Sequence, residues 1–310
     1  MAEFFQLETP VVFLVFNRPK HTRRVFEEIR RARPPRLYVV GDGPRPGRPE
    51  DVSRVQEVRT IIAQGVDWPC EVRTNYSEAN LGCGRRISSG LDWVFAQETE
   101  AIVLEDDCVP DPTFFRFCAE LLARYREDAR VGMISGCNFQ KAPPADGASY
   151  YFSIYNYVSG WAAWRRSWQL FDWKMARWPA RRASGWLNDL LGSRWAAIFW
   201  RYCFDETIAG KIDTWAFRWI FALWNQGTLA ALPARNLVTN IGFDAEATHF
   251  SSRDMDLSFA SHPLCFPLNS PEKMIRDVEA DHFTERRIYR IGLKTIAIIF
   301  FRRAKQLWRR

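Results

Sequence analysis

The 310-residue sequence predicts an α/β protein built on a mostly parallel central sheet flanked by helices. Short apolar runs rich in β-branched residues alternate with segments of helical periodicity through about residue 136. Such alternation favours crossover connections, and therefore parallel strands. Hydrophobic residues form 47% of the chain, which is enough for a real core, and no low-complexity tract indicates disorder.

The first part of the chain supplies the regular elements. Predicted strands are Thr9–Phe16, Arg36–Val40, Glu71–Asn75, Ala101–Leu104 and Val131–Ser135. Predicted helices are His21–Arg33, Glu50–Gln64, Arg85–Phe95 and Thr113–Tyr125. The remainder is less regular and rich in aromatic residues. It contains strand-like Ser149–Val158, Trp-rich Trp161–Phe171, helices Trp195–Ala209 and Thr214–Asn225, and a short strand, Thr228–Leu232.

The net charge of +7 belongs to a basic C-terminal tail. Nine basic and no acidic residues lie between Arg286 and Arg310, so the rest of the chain carries 34 basic against 36 acidic residues. A near-neutral body argues against nucleic-acid binding. The apolar stretch Thr295–Phe301 is too short to cross a bilayer, but its flanks suit a helix lying on anionic lipid. Docking of residues 286–310 on the protein's own body, or on a partner, is the alternative.

Cysteine usage and the N-terminus indicate a cytoplasmic protein. Seven cysteines are scattered without a CxxC pair, which favours neither a disulfide framework nor a zinc site. The N-terminus lacks the order of basic, apolar and small residues typical of a signal peptide. We therefore expect a reducing, cytoplasmic location, with the basic tail at the inner face of the plasma membrane.

Three adjacent carboxylates end the buried strand at Ala101–Leu104: Glu105, Asp106 and Asp107. In open α/β sheets, ligands bind at the carboxyl ends of strands. Three carboxylates repel one another unless a cation neutralises them, and Mg²⁺ typically takes one or two carboxylates plus substrate phosphates. Capping of the next helix is the alternative, but Asp111 lies closer to that helix start.

Other polar residues follow the strands predicted beside this one. Asn17-Arg18 ends the first strand and Asp42 ends the second. Arg18 suits a phosphate or a base, and Asp42 could accept from a nucleobase or a ribose hydroxyl. Asn80, Gly82 and Arg86 surround the start of the third helix, where the helix dipole and cationic side chains suit an anion.

Two further residues could carry chemistry in the second half. Asp213 precedes a predicted helix start and could take a proton from a hydroxyl group, with Asp205 and Glu206 as alternatives. His249 ends a polar segment that contains glycine and could bind a metal, although an ordinary loop histidine is equally consistent with the spacing.

These landmarks resemble GT-A fold glycosyltransferases, most closely bacterial family-2-like enzymes and the N-acetylglucosaminyltransferase I group. Leu104-Glu105-Asp106-Asp107 is similar to that group's variant of the DXD signature. Phe16–Pro19 is similar to a nucleotide contact after the first strand, and Gly160–Trp164 to a Gly-Trp segment lining the donor and acceptor sites. Asn236–His249 resembles a block of the bacterial relatives, and the resemblance covers roughly residues 10–250.

The resemblance implies a metal-dependent, inverting transfer of a sugar from a nucleotide diphosphate sugar, with a UDP-sugar favoured, to a glycan or lipid-linked saccharide such as a growing lipopolysaccharide. Asp107 and His249 would bind Mn²⁺ or Mg²⁺, and Asp213 would be the base. Donor contacts would come from Asn17, Arg18, Asp42, Asn80, Gly82, Arg86, Glu105 and Asp106, with Gly160 and Trp161 lining the sugar sites. A second acidic residue often found beside the base is replaced by Thr214, which leaves the base open.

The resemblance also assigns roles along the chain. Residues 1–136 would bind the nucleotide sugar, residues 137–250 would bind the acceptor and catalyse transfer, and residues 251–310 would form an extension ending in the basic helix. Two other functions stay open: a sugar nucleotidyltransferase, which would need a Gly-rich loop after the first strand, and a non-catalytic protein that binds carbohydrate or membrane surfaces.

Overall fold

The structure is a computed structural model, which describes residues 5–242 and 260–307. Its strands are β1 Val11–Val15, β2 Arg36–Gly41, β3 Glu71–Tyr76, β4 Glu100–Glu105, β5 Cys108–Pro110, β6 Val131–Ser135, β7 Tyr150–Ser153, β8 Trp161–Trp164, β9 Leu229–Pro233 and β10 Val238–Asn240. Its helices are α1 Pro19–Ala32, α2 Pro49–Gly65, α3 Cys83–Phe95, α4 Thr113–Arg124, α5 Arg165–Trp168, α6 Trp178–Ala183, α7 Trp186–Leu191, α8 Arg194–Ile208, α9 Ala216–Gln226, α10 Val278–Arg287 and α11 Leu293–Leu307.

Eight strands form one central sheet in the order β3-β2-β1-β4-β8-β6-β9-β7. Strands β1 to β4 are mutually parallel, β6 and β9 run in the same direction, and β7 and β8 run against it. The predicted α/β class with a mostly parallel sheet is confirmed. Strands from both predicted halves share this sheet, because β8 lies between β4 and β6; the boundaries at residues 136 and 250 stay predictions.

The central strands are buried on both faces, as their unbroken apolar sequences predict. Every residue of β1, Val-Val-Phe-Leu-Val, is buried. Helix α1 contributes Val25, Phe26 and Ile29 to the hydrophobic core, and these residues recur at helical spacing. Helix α3 packs closely on β2, because a side chain at Gly90 would collide with Val40. This close contact fixes where the first turn of α3 lies.

A small second sheet lies at the edge where the parallel strands end. Strand β5 follows the carboxylates of β4 and pairs in antiparallel fashion with β10, with Asn240 opposite Cys108. The sequence did not predict either strand, since each has only three residues. Their pairing brings the first part of the Asn236–His249 block beside Asp107.

The tryptophans between residues 161 and 224 build the core of the second half. Trp161, Trp200, Trp219 and Trp224 are among the largest fully buried side chains. The ring centroids of Trp161 and Trp215 are 5.6 Å apart, and those of Trp200 and Trp224 are 4.9 Å apart. Their clustering in sequence therefore reflects packing in the core of the protein.

The C-terminal extension packs on the second half through buried polar contacts. Ser153 at the end of β7 donates to Asp281 of α10, and Tyr155 Oη donates to Glu285 at 2.9 Å. Helix α11 lies against α8, where Arg303 pairs with Asp205 at 2.9 Å. Across residues 5–242 and 260–307, no helix has the length and apolar character that crossing a bilayer requires.

Candidate active site

The carboxylate triplet lies at the carboxyl end of β4, as the sequence predicts, and meets the residues that follow β1. Arg18 Nη1 donates to Asp107 Oδ2 at 2.9 Å and lies 4.0 Å from Asp106 Oδ1. Asp106 Oδ2 accepts from the Phe16 amide at 3.1 Å. Parallel pairing of β1 with β4 brings these groups together.

The three carboxylates differ in their partners. Asp107 is fixed by Arg18 and by the Cys108 thiol, which donates to its Oδ1 at 3.3 Å. Asp106 is buried. Within the described part of the chain, the Glu105 carboxylate has neither a hydrogen bond nor an ion pair. Burial, followed by the charges of Asp107 and Asp106, raises the pKa of Glu105 to about 8, and burial together with the Asp107 charge raises the pKa of Asp106 to about 7.

Asp42 anchors the loop that leads into α3. Its carboxylate accepts from the amides of Gly43 at 2.9 Å, Leu81 at 2.9 Å and Gly82 at 3.1 Å. Only 6% of the residue is exposed, and burial raises its pKa against these amide contacts. Asn80 adds a bond from Nδ2 to the Gly43 carbonyl at 2.9 Å. These contacts give Asp42 a positioning role in the loop, and the nucleobase contact stays a prediction.

Arg86 and Asn17 are also turned to internal contacts. Arg86 is 6% exposed and donates to the carbonyl of Gly41 and to both the carbonyl and the side chain of Asn75, so it joins the ends of β2 and β3 to α3. Asn17 Nδ2 donates to Asp51 at 2.7 Å. Both side chains therefore position the protein's own elements, and their contacts with phosphate and nucleotide stay predictions.

The first turn of α3 carries backbone amides that have no carbonyl partner inside the helix. Gly82 precedes it with φ of 76°, a left-handed conformation that favours glycine. Gly84 lies in it, where a Cβ would lie 2.6 Å from Asp213 Oδ1 and 3.0 Å from the Trp173 ring. The two glycines therefore let other groups approach the backbone of this turn.

Asp213 lies beside this turn although it follows Gly84 by more than a hundred positions in the sequence. The Asp213 residue is exposed, and its carboxylate has no hydrogen-bond partner among residues 5–242 and 260–307. The alternatives are engaged elsewhere: Asp205 pairs with Arg182 and Arg303, and Glu206 pairs with Lys211. Of the three candidates for the base, Asp213 is the one that lies against α3.

A stack of side chains that no sequence pattern predicted supports the Asp213 loop. The guanidinium carbons of Arg85 and Arg218 each lie 3.9 Å from the centroid of the Trp173 ring. Arg218 also donates to the carbonyls of Trp173, Thr214 and Thr207, which fixes the loop on both sides of Asp213. Arginine over tryptophan is a favourable cation–π arrangement. Sequence spacing gives no sign of it, because its members come from three separate segments.

The thiol of Cys83, in the first turn of α3, is affected by the charges of these carboxylates. Its pKa rises to about 12, first through desolvation and then through the charges of Glu105, Asp213, Asp107 and Asp42. Carboxylates from three separate parts of the chain therefore act on one point at the start of α3. The residue nevertheless remains exposed, so this point is open to solvent.

Gly160 and Trp161 contribute to packing at the triplet and not to an open surface. Gly160 has φ of 74°, and a Cβ there would lie 2.7 Å from Val238 and 3.4 Å from Leu104. Trp161 is completely buried beside Trp168, Trp215 and Trp219. The contact of Trp161 with a sugar stays a prediction, although its ring has no exposed face in this structure.

The Asn236–His249 block reaches the triplet with its first residues. The Ile241 amide donates to the Asp107 carbonyl at 2.8 Å, and His21 Nε2 lies 3.1 Å from the Ile241 carbonyl oxygen. Gly242 lies against the Asp107 carboxylate so closely that a Cβ would overlap it. His249, the second predicted metal ligand, lies outside the described residues.

The donor set at the triplet fits a hard divalent cation that shares its ligands with a substrate. Within residues 5–242 and 260–307, no three His, Cys, Asp or Glu side chains converge as a complete protein site. The groups at hand are carboxylate oxygens, including those of Glu105, which are the donors that Mg²⁺ and Mn²⁺ prefer. A cation here would need phosphate oxygens to complete its coordination.

No protein-family model matches the chain, and no curated protein matches it by sequence. Solved structures overlap with parts of it. A mannosyltransferase from Pyrobaculum calidifontis, in complex with GDP-Man and Mn²⁺, overlaps at 14% identity and a TM-score of 0.34, over 52% of this chain and 46% of that one. S. aureus TarS 1–349 overlaps at 11% identity and a TM-score of 0.36, over 72% of this chain and 92% of that one.

A third overlap is with an enzyme of another class. The 4-diphosphocytidyl-2C-methyl-D-erythritol synthase from Anaerococcus prevotii overlaps at 11% identity and a TM-score of 0.33, over 57% of this chain and 78% of that one. This chain spans less than half of the mannosyltransferase's length. At such scores and identities, these likenesses leave the function to be argued from the residues of the site.

Proposed function

We propose that the chain is a metal-dependent glycosyltransferase that moves a sugar from a nucleotide diphosphate sugar, with a UDP-sugar favoured, to a hydroxyl of a glycan or lipid-linked saccharide. The observation that carries the proposal is the approach of Asp213 to Gly84 in the first turn of α3, whose entry Asp42 holds through the Gly82 amide. The charges of Glu105 and Asp107 also raise the pKa of Cys83 in this turn. That turn offers free amides to an anion, while the carboxylates beside it offer ligands to a cation.

The two sides of this turn suit the two halves of a transfer reaction. On the β4 side, Asp107 and Glu105 would hold a divalent cation, which supplies charge neutralisation for a departing diphosphate. On the other side lies Asp213, exposed and beside Gly84. It takes the proton of the acceptor hydroxyl as that oxygen attacks the anomeric carbon, and attack opposite the leaving group inverts that centre.

Arg18 and Asp42 prepare the site without taking part in proton transfer. Arg18 holds one oxygen of the Asp107 carboxylate at 2.9 Å, and the other oxygen accepts from the Cys108 thiol, a weak donor that a cation can displace. Asp42 keeps the amides of Leu81 and Gly82 in place, so the entry to α3 is formed before a substrate binds. Binding energy is then not used to order this loop.

The alternative of a sugar nucleotidyltransferase has less support in the residues after β1. Asn17-Arg18-Pro19-Lys20 contains no glycine, whereas such an enzyme needs a flexible Gly-rich loop at this point for the incoming triphosphate. Here Arg18 is paired to Asp107 and Asn17 to Asp51.

The test is release of nucleoside diphosphate from a panel of nucleotide sugars, with Mn²⁺ and with chelator, in the wild type and two matched variants. We expect Asp213→Asn to lower kcat by about 10²- to 10⁴-fold, the usual contribution of a general base, with little change in the KM for the donor. Asp205→Asn is the control, because Asp205 is engaged in ion pairs away from α3.

Asp107→Ala completes the test and should abolish metal-dependent transfer while the protein keeps its melting transition. Full activity of Asp107→Ala, equal loss in Asp213→Asn and Asp205→Asn, or turnover unaffected by chelator would each contradict the proposal.

A further inference from the structure

The C-terminal helix α11 presents an apolar face to solvent. Leu293, Phe300 and Phe301 are 75%, 56% and 71% exposed, and Ala297 and Ala304 are exposed between and beyond them. Their spacing along the sequence places all five on one side of the helix. We call these five residues the apolar stripe. Apolar side chains that cluster on one exposed face usually mark an interaction surface.

The opposite face of α11 holds the helix against the protein. Ile296 and Ile299 are 2% and 3% exposed, and Arg303 pairs with Asp205 of α8 at 2.9 Å. Arg302 reaches the hydroxyl of Tyr202, also in α8, at 3.4 Å. The helix therefore has a fixed orientation on the body, and the apolar stripe is its outer face.

Basic side chains lie beside and beyond the stripe: Lys294 and Lys305 are along one edge of it, and Arg302 is further round the helix, where it also reaches Tyr202. Lys294, Arg302 and Lys305 are exposed, and no carboxylate among the described residues pairs with any of them. The chain from Arg286 to Arg310 contains nine basic residues and no acidic one. A protein partner would need an unusual match of acidic and apolar groups to cover this face, whereas an anionic bilayer offers negative headgroups above an apolar layer.

We propose that the apolar stripe docks on an anionic membrane surface, with α11 lying in the interfacial plane. Its 15 residues are too few to span a bilayer, but they suit a helix that buries one face at the level of the headgroups. Anionic headgroups attract the flanking Lys294, Arg302 and Lys305. The inference does not depend on the proposed function, because it rests on α11 alone.

The experiment is co-sedimentation of the full chain with vesicles of phosphatidylcholine alone and of phosphatidylcholine with about 30% phosphatidylglycerol, at about 0.1 M salt. We expect binding to the anionic vesicles only, and weakening as salt rises. Each basic residue near such a surface adds about a fivefold gain in partition, so Lys294→Gln/Arg302→Gln/Lys305→Gln should weaken binding by about 100-fold.

Two matched sets of variants test whether binding depends on the residues of α11 or only on the net charge and exposed apolar area of the protein. Lys141→Gln/Lys174→Gln/Lys273→Gln removes the same charge from exposed sites elsewhere and should bind as tightly as the wild type, apart from a small effect of net charge. Phe300→Ser/Phe301→Ser should lose binding, whereas Val52→Ser/Ile275→Ser, at positions 59% and 66% exposed, should not. Melting curves check that each variant folds. If Phe300→Ser/Phe301→Ser does not fold, Phe301→Ser alone replaces it in the comparison.

Several results would overturn the inference. These are absence of binding to anionic vesicles, equal binding to both vesicle types, or equal loss in the two charge variants. A concentration-dependent dimer that Phe300→Ser/Phe301→Ser disrupts, without vesicle binding, would assign the stripe to a second copy of the chain instead.

Discussion

At the scale of single residues, the site combines charges that are unfavourable to bury together. Glu105 and Asp106 lie next to Asp107, and Arg18 is the cation that pairs with this group. The raised pKa values of Glu105 and Asp106 are the consequence. Without a bound cation, the folded protein therefore takes up protons at this corner that the unfolded chain would release.

This difference gives a pH dependence of stability with a definite sign. Between the usual pKa of about 4.5 and the folded value of about 8 for Glu105, the folded state binds more protons than the unfolded state. Its free energy of unfolding therefore falls as pH rises through that window. With chelator present, we expect Glu105→Gln to raise Tm at about pH 8.5 by roughly 2–4 °C, which is the shift that about 1 kcal/mol produces. The dependence of Tm on pH should also become flatter.

Differential scanning calorimetry from about pH 5.5 to about pH 9 spans this window, with exposed Glu78→Gln as the control. A Glu105→Gln variant that is less stable than the wild type at the alkaline end would mean that the Glu105 carboxylate is stabilised by a partner.

Which polar residues meet at this edge of the sheet was only partly predictable from the sequence. The triplet and Arg18 were found because an apolar strand ending in charges is a local pattern. The inward roles of Asp42 and Arg86 were not, because their partners, the amides of Leu81 and Gly82 and the carbonyls of Gly41 and Asn75, come from other segments. A polar side chain at a strand end serves the protein's own loops as readily as a ligand.

At the scale of elements, the start of α3 and the loop carrying Asp213 form one unit. Arg218 of α9 connects them, since it lies over Trp173 and donates to carbonyls on both sides of Asp213. Arg85 lies over the same ring from α3. The unit depends on the planar, multidonor guanidinium group, which lysine cannot reproduce.

Arg218→Lys should therefore misplace Asp213 while it preserves charge. On the proposed function, we expect kcat to fall by about 10- to 100-fold, the loss that a small misplacement of a reacting group can cause, with the KM for the donor unchanged. Steady-state kinetics and the pH profile of kcat are the measurements. Arg181→Lys is the control, because Arg181 also packs over a tryptophan, Trp186, but contacts Asn225 on a different surface.

An unchanged kcat in Arg218→Lys, or a change in KM alone, would exclude this positioning role.

Elements with strong local periodicity, such as α1 and α3, were predictable to within about two residues. Short strands β5, β8 and β10 were not, because pairing with distant segments defines them more than their three or four residues do.

At the scale of the whole molecule, the C-terminal extension is held by a buried polar network. Asp281 is fully buried, where it accepts from Ser153 of β7 and pairs with Arg276. Tyr157 Oη lies 2.7 Å from Thr284 Oγ1 within the same interface. The sequence indicated that the tail could dock on the body, but these contacts cannot be predicted from it, because polar residues far apart in the chain meet in them.

Removing the charge at Asp281 should weaken this attachment strongly. Breaking one partner of a buried pair typically costs about 3–5 kcal/mol, so Asp281→Asn should lower Tm by about 5 °C or more. Thermal melts followed by circular dichroism test this against exposed Glu272→Gln. Equal melting of the two variants would show that the extension contributes little to global stability.

The position of β8 has a consequence for synthesis on the ribosome. The unit β3-β2-β1-β4 is complete once Glu105 has been made, but the strand that covers the free side of β4 ends at Trp164. Until that strand emerges, a growing chain exposes an apolar edge with unpaired backbone groups, which is the kind of surface that recruits other chains. Nascent chains that stall between those two points are therefore the ones most prone to aggregate.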